Sequence, residues 1–178
     1  GMPVGVGVGN SNKRKLPISL TTKEKDFNKA DADRNSQGLN FDNINVPIVI
    51  VLKKNTTAIR SVIVWLERQY KNQIENHSML LIDDESDYAS INYKEGEDPS
   101  IINKRLRKLI SLFRKSSYIA YTATPYANIF IDHKASHDEL GKDLFPKDFI
   151  YALDAPSNYF GPRKIFLDDE GKHLIQIN

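Results

Sequence analysis

Apolar positions in the middle of the chain alternate between continuous runs and a spacing of three or four residues. Residues 46–52 (VPIVIVL) and 79–82 (MLLI) are short apolar runs of the kind found in strands buried on both faces. Residues 117–121 (SYIAY) predict a third strand. A further short strand is predicted over residues 16–22, ahead of a polar, turn-rich stretch.

Two amphipathic helices are predicted between these strands. The first is capped by Asn55 or Thr56, and the second begins at Asp98-Pro99, where proline favours the first helical turn. Their apolar stripes are formed by Ile59, Val62, Ile63, Leu66 and Tyr70 in the first helix and by Ile102, Leu106, Leu109 and Phe113 in the second. The order strand, helix, strand, helix, strand predicts an α/β fold with a mostly parallel sheet flanked by helices on both sides.

The composition fits one domain with a hydrophobic core and narrows the class of protein. The 178 residues are 40% hydrophobic and 27% charged, and the net charge of +2 neither indicates nor excludes a nucleic-acid partner. The absence of cysteine excludes disulfides and thiolate zinc sites and favours a cytoplasmic location. No apolar run approaches the roughly 20 residues that a membrane-spanning helix needs, so no membrane partner is expected.

Polar side chains with catalytic potential follow two of the predicted strands. Residues 83–87 (DDESD) come directly after strand 79–82, and residues 122–125 (TATP) follow strand 117–121. Since ligands bind beyond the carboxyl ends of parallel strands, both turns are expected at one edge of the sheet. Clustered carboxylates repel one another, and a hard cation such as Mg²⁺ would compensate their charge. One carboxylate would hold the ion, and a second would orient or deprotonate a water molecule.

Purely structural interpretations of these residues stay open. Asp and Ser also cap helices, and small hydroxyl residues before proline often only form a turn. A basic set on and after the second helix is typical either of DNA contact or of a solvated face. This set comprises Lys104, Arg105, Arg107, Lys108, Arg114 and Lys115, of which Lys104, Arg105 and Lys108 are the candidate DNA contacts. His133 and His137 lack the glutamate of a zinc-protease motif and predict a surface loop.

The two turns and their flanks resemble helicase motifs. Residues 80–90 (LLIDDESDYAS) look like the second motif of superfamily 2 helicases, and residues 121–128 (YTATPYAN) look like the third. Together with residues 140–146 (LGKDLFP), 156–159 (PSNY) and 20–22 (LTT), the set resembles the Z-one domain over roughly residues 16–167. That family comprises helicase-like proteins, often described as endonucleases, that are linked to bacterial restriction-type systems.

By position, this resemblance implies roles for five residues in ATP hydrolysis. Asp84 would hold Mg²⁺ at the ATP phosphates, and Glu85 would orient or activate the attacking water. Asp87, Thr122 and Thr124 would complete the cofactor-binding set and link the state of ATP to the grip on DNA. The chain departs from the family in having no G-x-x-x-x-G-K-[ST] loop, whose lysine cradles the phosphates. That loop is expected upstream of this sequence in a longer protein, which would also supply a second RecA-like domain with an arginine finger.

Three regions are predicted along the chain. Residues 1–15 are expected to be a flexible lead-in that starts with a glycine left by cloning. Residues 16–131 are expected to form a partial RecA-like helicase core. Residues 132–178 are expected to form a small irregular extension of the same domain, with short strands at residues 148–153 and 164–167.

The leading functional hypothesis is a fragment of a DNA-dependent ATPase or translocase, the endonuclease component of a bacterial restriction or DNA-defence system. Its expected partners are DNA, the missing segments of the longer protein and other proteins of the restriction system. The isolated chain is expected to bind neither Mg²⁺ nor ATP tightly and not to hydrolyse ATP. The alternatives are a metal-dependent nuclease that uses the carboxylates of residues 83–87 directly, and a non-catalytic module that docks a partner protein.

Overall fold

The computed structural model describes residues 17–21, 27–30, 32, 41–88, 90, 100–126, 136–137, 141–142, 144–155, 158–159 and 161. The chain divides into two compact units, Gly1–Lys147 and Asp148–Asn178. The elements of the first unit are β1 (Ile18–Ser19), a 3₁₀ helix (Phe41–Asn43), β2 (Ile48–Val49), α1 (Thr56–Gln69), β3 (Ile74–Asp83), α2 (Ile101–Ser111), β4 (Phe113–Ala120), β5 (Ser136–His137) and β6 (Gly141–Lys142). The predicted division at residues 131 and 132 stays a prediction.

Parallel pairing dominates the strands that the structure describes. β1 pairs with β2 and β3 pairs with β4, both in parallel, whereas β5 and β6 form a short antiparallel pair. β1–β2 and β3–β4 are separate two-stranded sheets, with α1 between β2 and β3 along the chain. The connection from β3 to β4 contains α2, as the crossover between paired parallel strands requires. The prediction of an α/β fold with parallel strands is therefore confirmed for these elements.

Helix α1 forms where its apolar spacing and its cap predict. The Asn55 side chain accepts a hydrogen bond from the Ala58 amide at 2.8 Å, which satisfies one of the unpaired donors of the first turn. The predicted stripe is buried at Ile59, Val62, Ile63 and Leu66, whereas Tyr70 is half-buried and caps the end of the helix. Trp65 is also buried, and its ring meets that of Phe27 edge-on. An apolar stripe of this kind stabilises the helix by packing rather than by propensity.

Helix α2 starts and ends at different residues from those predicted. Its cap is Ser100, whose hydroxyl accepts a hydrogen bond from the Asn103 amide at 3.0 Å, and residues 98 and 99 lie outside the described residues. Phe113 was predicted to belong to the helical stripe and instead begins β4, where it is buried opposite Ile74. β3 and β4 also begin before the predicted runs, and a β-bulge between Ile74 and Ser78 accommodates the early part of the pairing.

One face of the β3–β4 pair is covered and the other is open. Leu81 and its partner Tyr118 pack on the core that both helices share, while Leu80 and Ile82 point the other way and are 58% and 60% exposed. The predictions of a strand buried on both faces and of helices on both sides are therefore wrong for the described residues. The core consists of Leu20, Phe27, Ala32, Ile59, Val62, Ile63, Trp65, Leu66, Ile74, Leu106, Leu109, Phe113 and Leu144.

Two further strand predictions differ from the structure. The run at residues 46–52 forms only the two-residue strand β2, and Val51 beyond it is 66% exposed. Residues 148–153 have no regular structure, and their large apolar side chains are exposed, as in Phe149 and Leu153. Residues 164–167 lie outside the described residues. Among the elements that are described, no helix has the length and apolarity needed to cross a membrane.

Candidate functional site

The acidic turn (residues 83–87) and the threonine turn (residues 121–124) lie side by side at the carboxyl ends of β3 and β4. The Tyr121 amide donates to the Asp83 carbonyl at 2.8 Å, and the Ser86 amide donates to the Tyr121 carbonyl at 2.9 Å. These bonds extend the contact between the two strands beyond their last paired residues. The predicted meeting of the two turns at one edge of a parallel sheet is confirmed.

Asp87 joins the two turns through both of its carboxylate oxygens. Thr122 Oγ1 donates to Oδ1 at 2.8 Å, and Thr124 Oγ1 donates to Oδ2 at 2.5 Å. Thr122 Oγ1 also accepts from the Thr124 amide at 3.0 Å, which fixes the threonine turn internally. The hydrogen bonds from Thr124 and then Thr122 stabilise the ionised carboxylate and lower the pKa of Asp87 below its ordinary value.

Asp83 is the buried member of the acidic turn and has a structural environment. It is 5% exposed, and its Oδ2 accepts a hydrogen bond from the Tyr118 hydroxyl at 2.8 Å. Its Oδ1 forms an ion pair with Lys54 Nζ at 3.0 Å. A buried carboxylate requires this kind of compensation, because an unpaired charge in a poorly solvated position is costly.

Lys54 is a site residue that the sequence analysis missed. Its ammonium donates to the Asp84 carbonyl at 2.7 Å and to the Glu85 carbonyl at 2.6 Å, besides its ion pair with Asp83. Ser90 Oγ lies 3.3 Å from the same nitrogen. Lys54 follows the apolar run that contains β2, so its place after a strand that points to the same edge was the available signal.

Asp84 and Glu85 present their carboxylates to the outside of the acidic turn. Both side chains are exposed, and the Glu85 amide donates a hydrogen bond to Asp84 Oδ1 at 3.0 Å. Glu85 has φ of 50°, the left-handed region that costs a residue with a Cβ about 1 kcal/mol. Strain of this kind is often concentrated at functional sites.

The carboxylates of the acidic turn differ in whether they remain available to bind a ligand. Asp83 and Asp87 have both oxygens engaged by protein groups, which leaves Asp84 and Glu85 as the carboxylates able to bind a ligand. Among the described residues, no group of three or more His, Cys, Asp or Glu side chains is arranged to hold a metal ion. The nuclease alternative, which uses the carboxylates of residues 83–87 directly, stays a prediction.

The basic residues of α2 divide into different environments. Arg107 is 4% exposed, so its inclusion among phosphate-contacting residues is wrong. Lys108 is paired with Glu67 of α1 at 3.1 Å on the surface. Lys104 and Arg105 are half-buried, and their role in DNA contact stays a prediction. His137 lies in β5, and His133 falls outside the described residues.

No protein-family model, curated protein or solved structure matches the chain.

Proposed function

We propose that this chain is part of a cytoplasmic, helicase-like, DNA-dependent ATPase or translocase of a restriction or DNA-defence system, with a RecA-like domain built around β3 and β4. The observation that carries the proposal is the joint at Asp87, whose carboxylate accepts hydrogen bonds from both Thr122 and Thr124. The joint connects the acidic turn to the threonine turn and leaves the Asp84 and Glu85 carboxylates exposed. An ATP-driven translocase needs such a connection, because a change at the bound nucleotide must alter the conformation of a neighbouring segment.

In the proposed site, Asp84 holds Mg²⁺ and Glu85 orients the attacking water. The donor set fits magnesium, which keeps several waters and is bound by one or two carboxylates together with substrate phosphates rather than by an all-protein cage. The ion, when bound, would neutralise charge on the ATP phosphates. Glu85 would accept a proton or a hydrogen bond from the attacking water, and Asp83 with Lys54 would hold the turn in place.

In the proposed function, the threonine turn transmits nucleotide-dependent movement of the acidic turn to the chain that follows it. A displacement of the acidic turn on nucleotide binding would act on Thr122 and Thr124 through Asp87. The threonine turn continues into Pro125 and Tyr126, so the chain beyond it would move with the turn. This sequence contains no G-x-x-x-x-G-K-[ST] loop. In the proposed function, a longer protein would supply that loop and an arginine finger.

ATP hydrolysis by that longer protein, measured with and without DNA, tests the proposal. Glu85→Gln is expected to lower kcat by about 10²–10⁴-fold, because an amide cannot act as a general base. Asp84→Asn is expected to raise the Mg²⁺ concentration needed for half-maximal hydrolysis. Binding of a fluorescent ATP analogue should persist in Glu85→Gln, since the water-orienting group is not a phosphate ligand.

Glu75→Gln is the matched control for this experiment. Glu75 is exposed on β3, and eight residues of strand place it about 25 Å from Asp83, so this variant should hydrolyse ATP at the unaltered rate. Unaltered hydrolysis in Glu85→Gln would refute the proposal. ATP-independent, Mg²⁺-dependent nicking of plasmid that is lost in Glu85→Gln would also refute it and would favour the nuclease alternative.

A further inference from the structure

A shallow groove of about 270 Å³ runs along the outer face of α1, well apart in sequence from the acidic and threonine turns. It is lined by Lys29, Thr57, Arg60, Ser61, Val64 and Arg68. Three of these six side chains are cationic, two carry hydroxyl groups, and none is acidic. The whole chain has a net charge of only +2, so this local excess of positive charge is a property of the groove and not of the composition.

The helix itself places the lining residues in a row. Relative to Thr57, the other α1 residues follow at three, four, seven and eleven positions, the spacing of one continuous helical face. That face lies opposite the buried stripe that includes Ile59 and Leu66. Arg60 and Arg68 are eight residues apart, which corresponds to about 12 Å along the helix axis. A nucleic-acid strand advances by a similar distance over three to four nucleotides at about 3.4 Å each.

The cations of the groove differ from the other basic residues of the site and of α2. Lys54 is paired with Asp83, and Lys108 is paired with Glu67. Within the ranges that the structure describes, Lys29, Arg60 and Arg68 form no ion pair with a carboxylate. The one acidic residue of α1, Glu67, is turned to α2 by its bond to Lys108. Among the described residues, the positive charge of the groove is therefore not neutralised by an ion pair with a carboxylate.

We propose that this groove binds the phosphate backbone of DNA without reading its sequence. Arginine guanidinium groups donate paired hydrogen bonds to phosphate oxygens, and hydroxyl and lysine side chains supply further contacts of the same kind. Thr57 is the better placed hydroxyl donor, because Ser61 Oγ already donates to the Thr57 carbonyl at 2.9 Å. Lys29 reaches the groove from a short helical segment just after Asn28, whose Oδ1 accepts a hydrogen bond from the Ala30 amide at 2.8 Å.

The shape and lining of the groove distinguish this ligand from other anions. A small phosphorylated molecule needs an enclosed and mostly apolar pocket, whereas this groove is open and five of its six lining residues are cationic or carry a hydroxyl group. A membrane surface requires apolar side chains for insertion beside the cations, and the lining offers only Val64. The choice of DNA among polyanions rests on the proposed function, but the groove lies outside the acidic and threonine turns and is tested independently of them.

Binding of a fluorescein-labelled DNA duplex to the 178-residue chain, followed by anisotropy at several salt concentrations without ATP or Mg²⁺, tests the proposal. The double variant Arg60→Gln, Arg68→Gln is expected to bind about tenfold or more weakly and to lower the slope of log affinity against log salt by about 1.5, since each lost phosphate contact removes about 0.7–0.9. The pair Arg60→Lys, Arg68→Lys keeps both charges and is expected to retain most of that slope.

The control removes the same charge outside the groove and outside the basic set of α2 through Lys53→Gln, Lys71→Gln, at two exposed positions. It should reduce DNA affinity by less than about threefold, because neither lysine lines the groove. Equal losses in both double variants, or no loss in the arginine pair, would overturn the groove as a DNA site. Equally tight, arginine-dependent binding to polyglutamate or to phosphatidylserine vesicles would overturn it as well. Since ATP is absent, failure of the proposed ATPase leaves this result unaffected.

Discussion

Asp87 connects the acidic turn to the threonine turn through a single side chain. The sequence predicts that the threonine turn and the acidic turn meet at one edge of the sheet, and in the structure Thr122 and Thr124 donate hydrogen bonds to Asp87 there. Two hydroxyl donors stabilise the ionised form of one carboxylate, so its pKa is lowered. Because the folded pKa lies below the unfolded value, the stability gained is present above that unfolded value and is lost as pH falls through the folded pKa.

Removing one hydroxyl should shift the titration of this carboxylate. In Thr124→Val, the pKa of Asp87 is expected to rise toward the ordinary value of 3.8, because the larger of its two stabilising hydrogen bonds is gone. Side-chain carboxyl chemical shifts followed by NMR across acidic pH measure this. Asp42 is the internal control, since hydrogen bonds from Tyr70 and then His77 lower its pKa independently. An unchanged Asp87 titration in Thr124→Val would mean that the joint does not persist in solution.

At the scale of elements, the sequence pattern predicted the position of helix α1 correctly but not which faces of the strands are buried. The stripe of α1 and its Asn55 cap are local features, and both appear as expected. For β3, alternate residues face opposite sides, so Leu81 meets the core while Leu80 and Ile82 do not. A run such as MLLI has the same composition whether one or both of its faces are covered.

Two leucine substitutions should differ in their effect on the free energy of unfolding, because one side chain is buried in the core and the other lies on the open face of β3. Leu66→Ala removes a side chain that is 3% exposed and should lower the free energy of unfolding by about 2–5 kcal/mol. Leu80→Ala removes one that is 58% exposed and should lower it by less than about 1 kcal/mol. Urea unfolding of both variants measures the difference. An equal cost at Leu80 would show that this face of β3 is covered in solution.

At the scale of the whole molecule, the carboxyl edge is assembled from separate parts of the chain. Lys54 follows β2, whereas Asp83 ends β3 and Tyr118 belongs to β4, and all three meet at one carboxylate. Thr21, just after β1, accepts a hydrogen bond from the Val51 amide at 2.9 Å and connects the first two strands near their ends. The shape of the candidate site therefore depends on how the strands are arranged and not only on the two motifs.

Lys54→Met tests how strongly this assembly depends on the lysine. Loss of the ammonium removes the ion pair of the Asp83 carboxylate, whose side chain is 4% exposed, and leaves the hydrogen bond from the Tyr118 hydroxyl. The free energy of unfolding should fall by about 3 kcal/mol, because removing one member of a buried ion pair leaves an uncompensated charge. Chemical denaturation measures the loss, and Lys53→Met, at an exposed neighbouring position, should change stability by less than about 0.5 kcal/mol.

The double variant Lys54→Met, Asp83→Asn completes the test. It replaces the Asp83 carboxylate, which Lys54→Met leaves without its ion pair, by a neutral amide. The double variant should therefore be more stable than Lys54→Met alone. Equal stabilities of Lys54→Met and Lys53→Met would contradict a structural role for the ion pair.

The sequence by itself determined the local features: the helix of α1 with its cap, the order of strands and helices, and the two polar turns that follow β3 and β4. These depend on side-chain spacing and on backbone hydrogen bonding within a few residues, which the order of residues specifies directly. Only the tertiary structure decided which carboxylates are engaged and which are exposed, because burial and pairing depend on segments that are distant in sequence. Lys54 lies about thirty residues before the turn that it holds, and its place after an apolar run indicates the end of a strand but does not specify that contact.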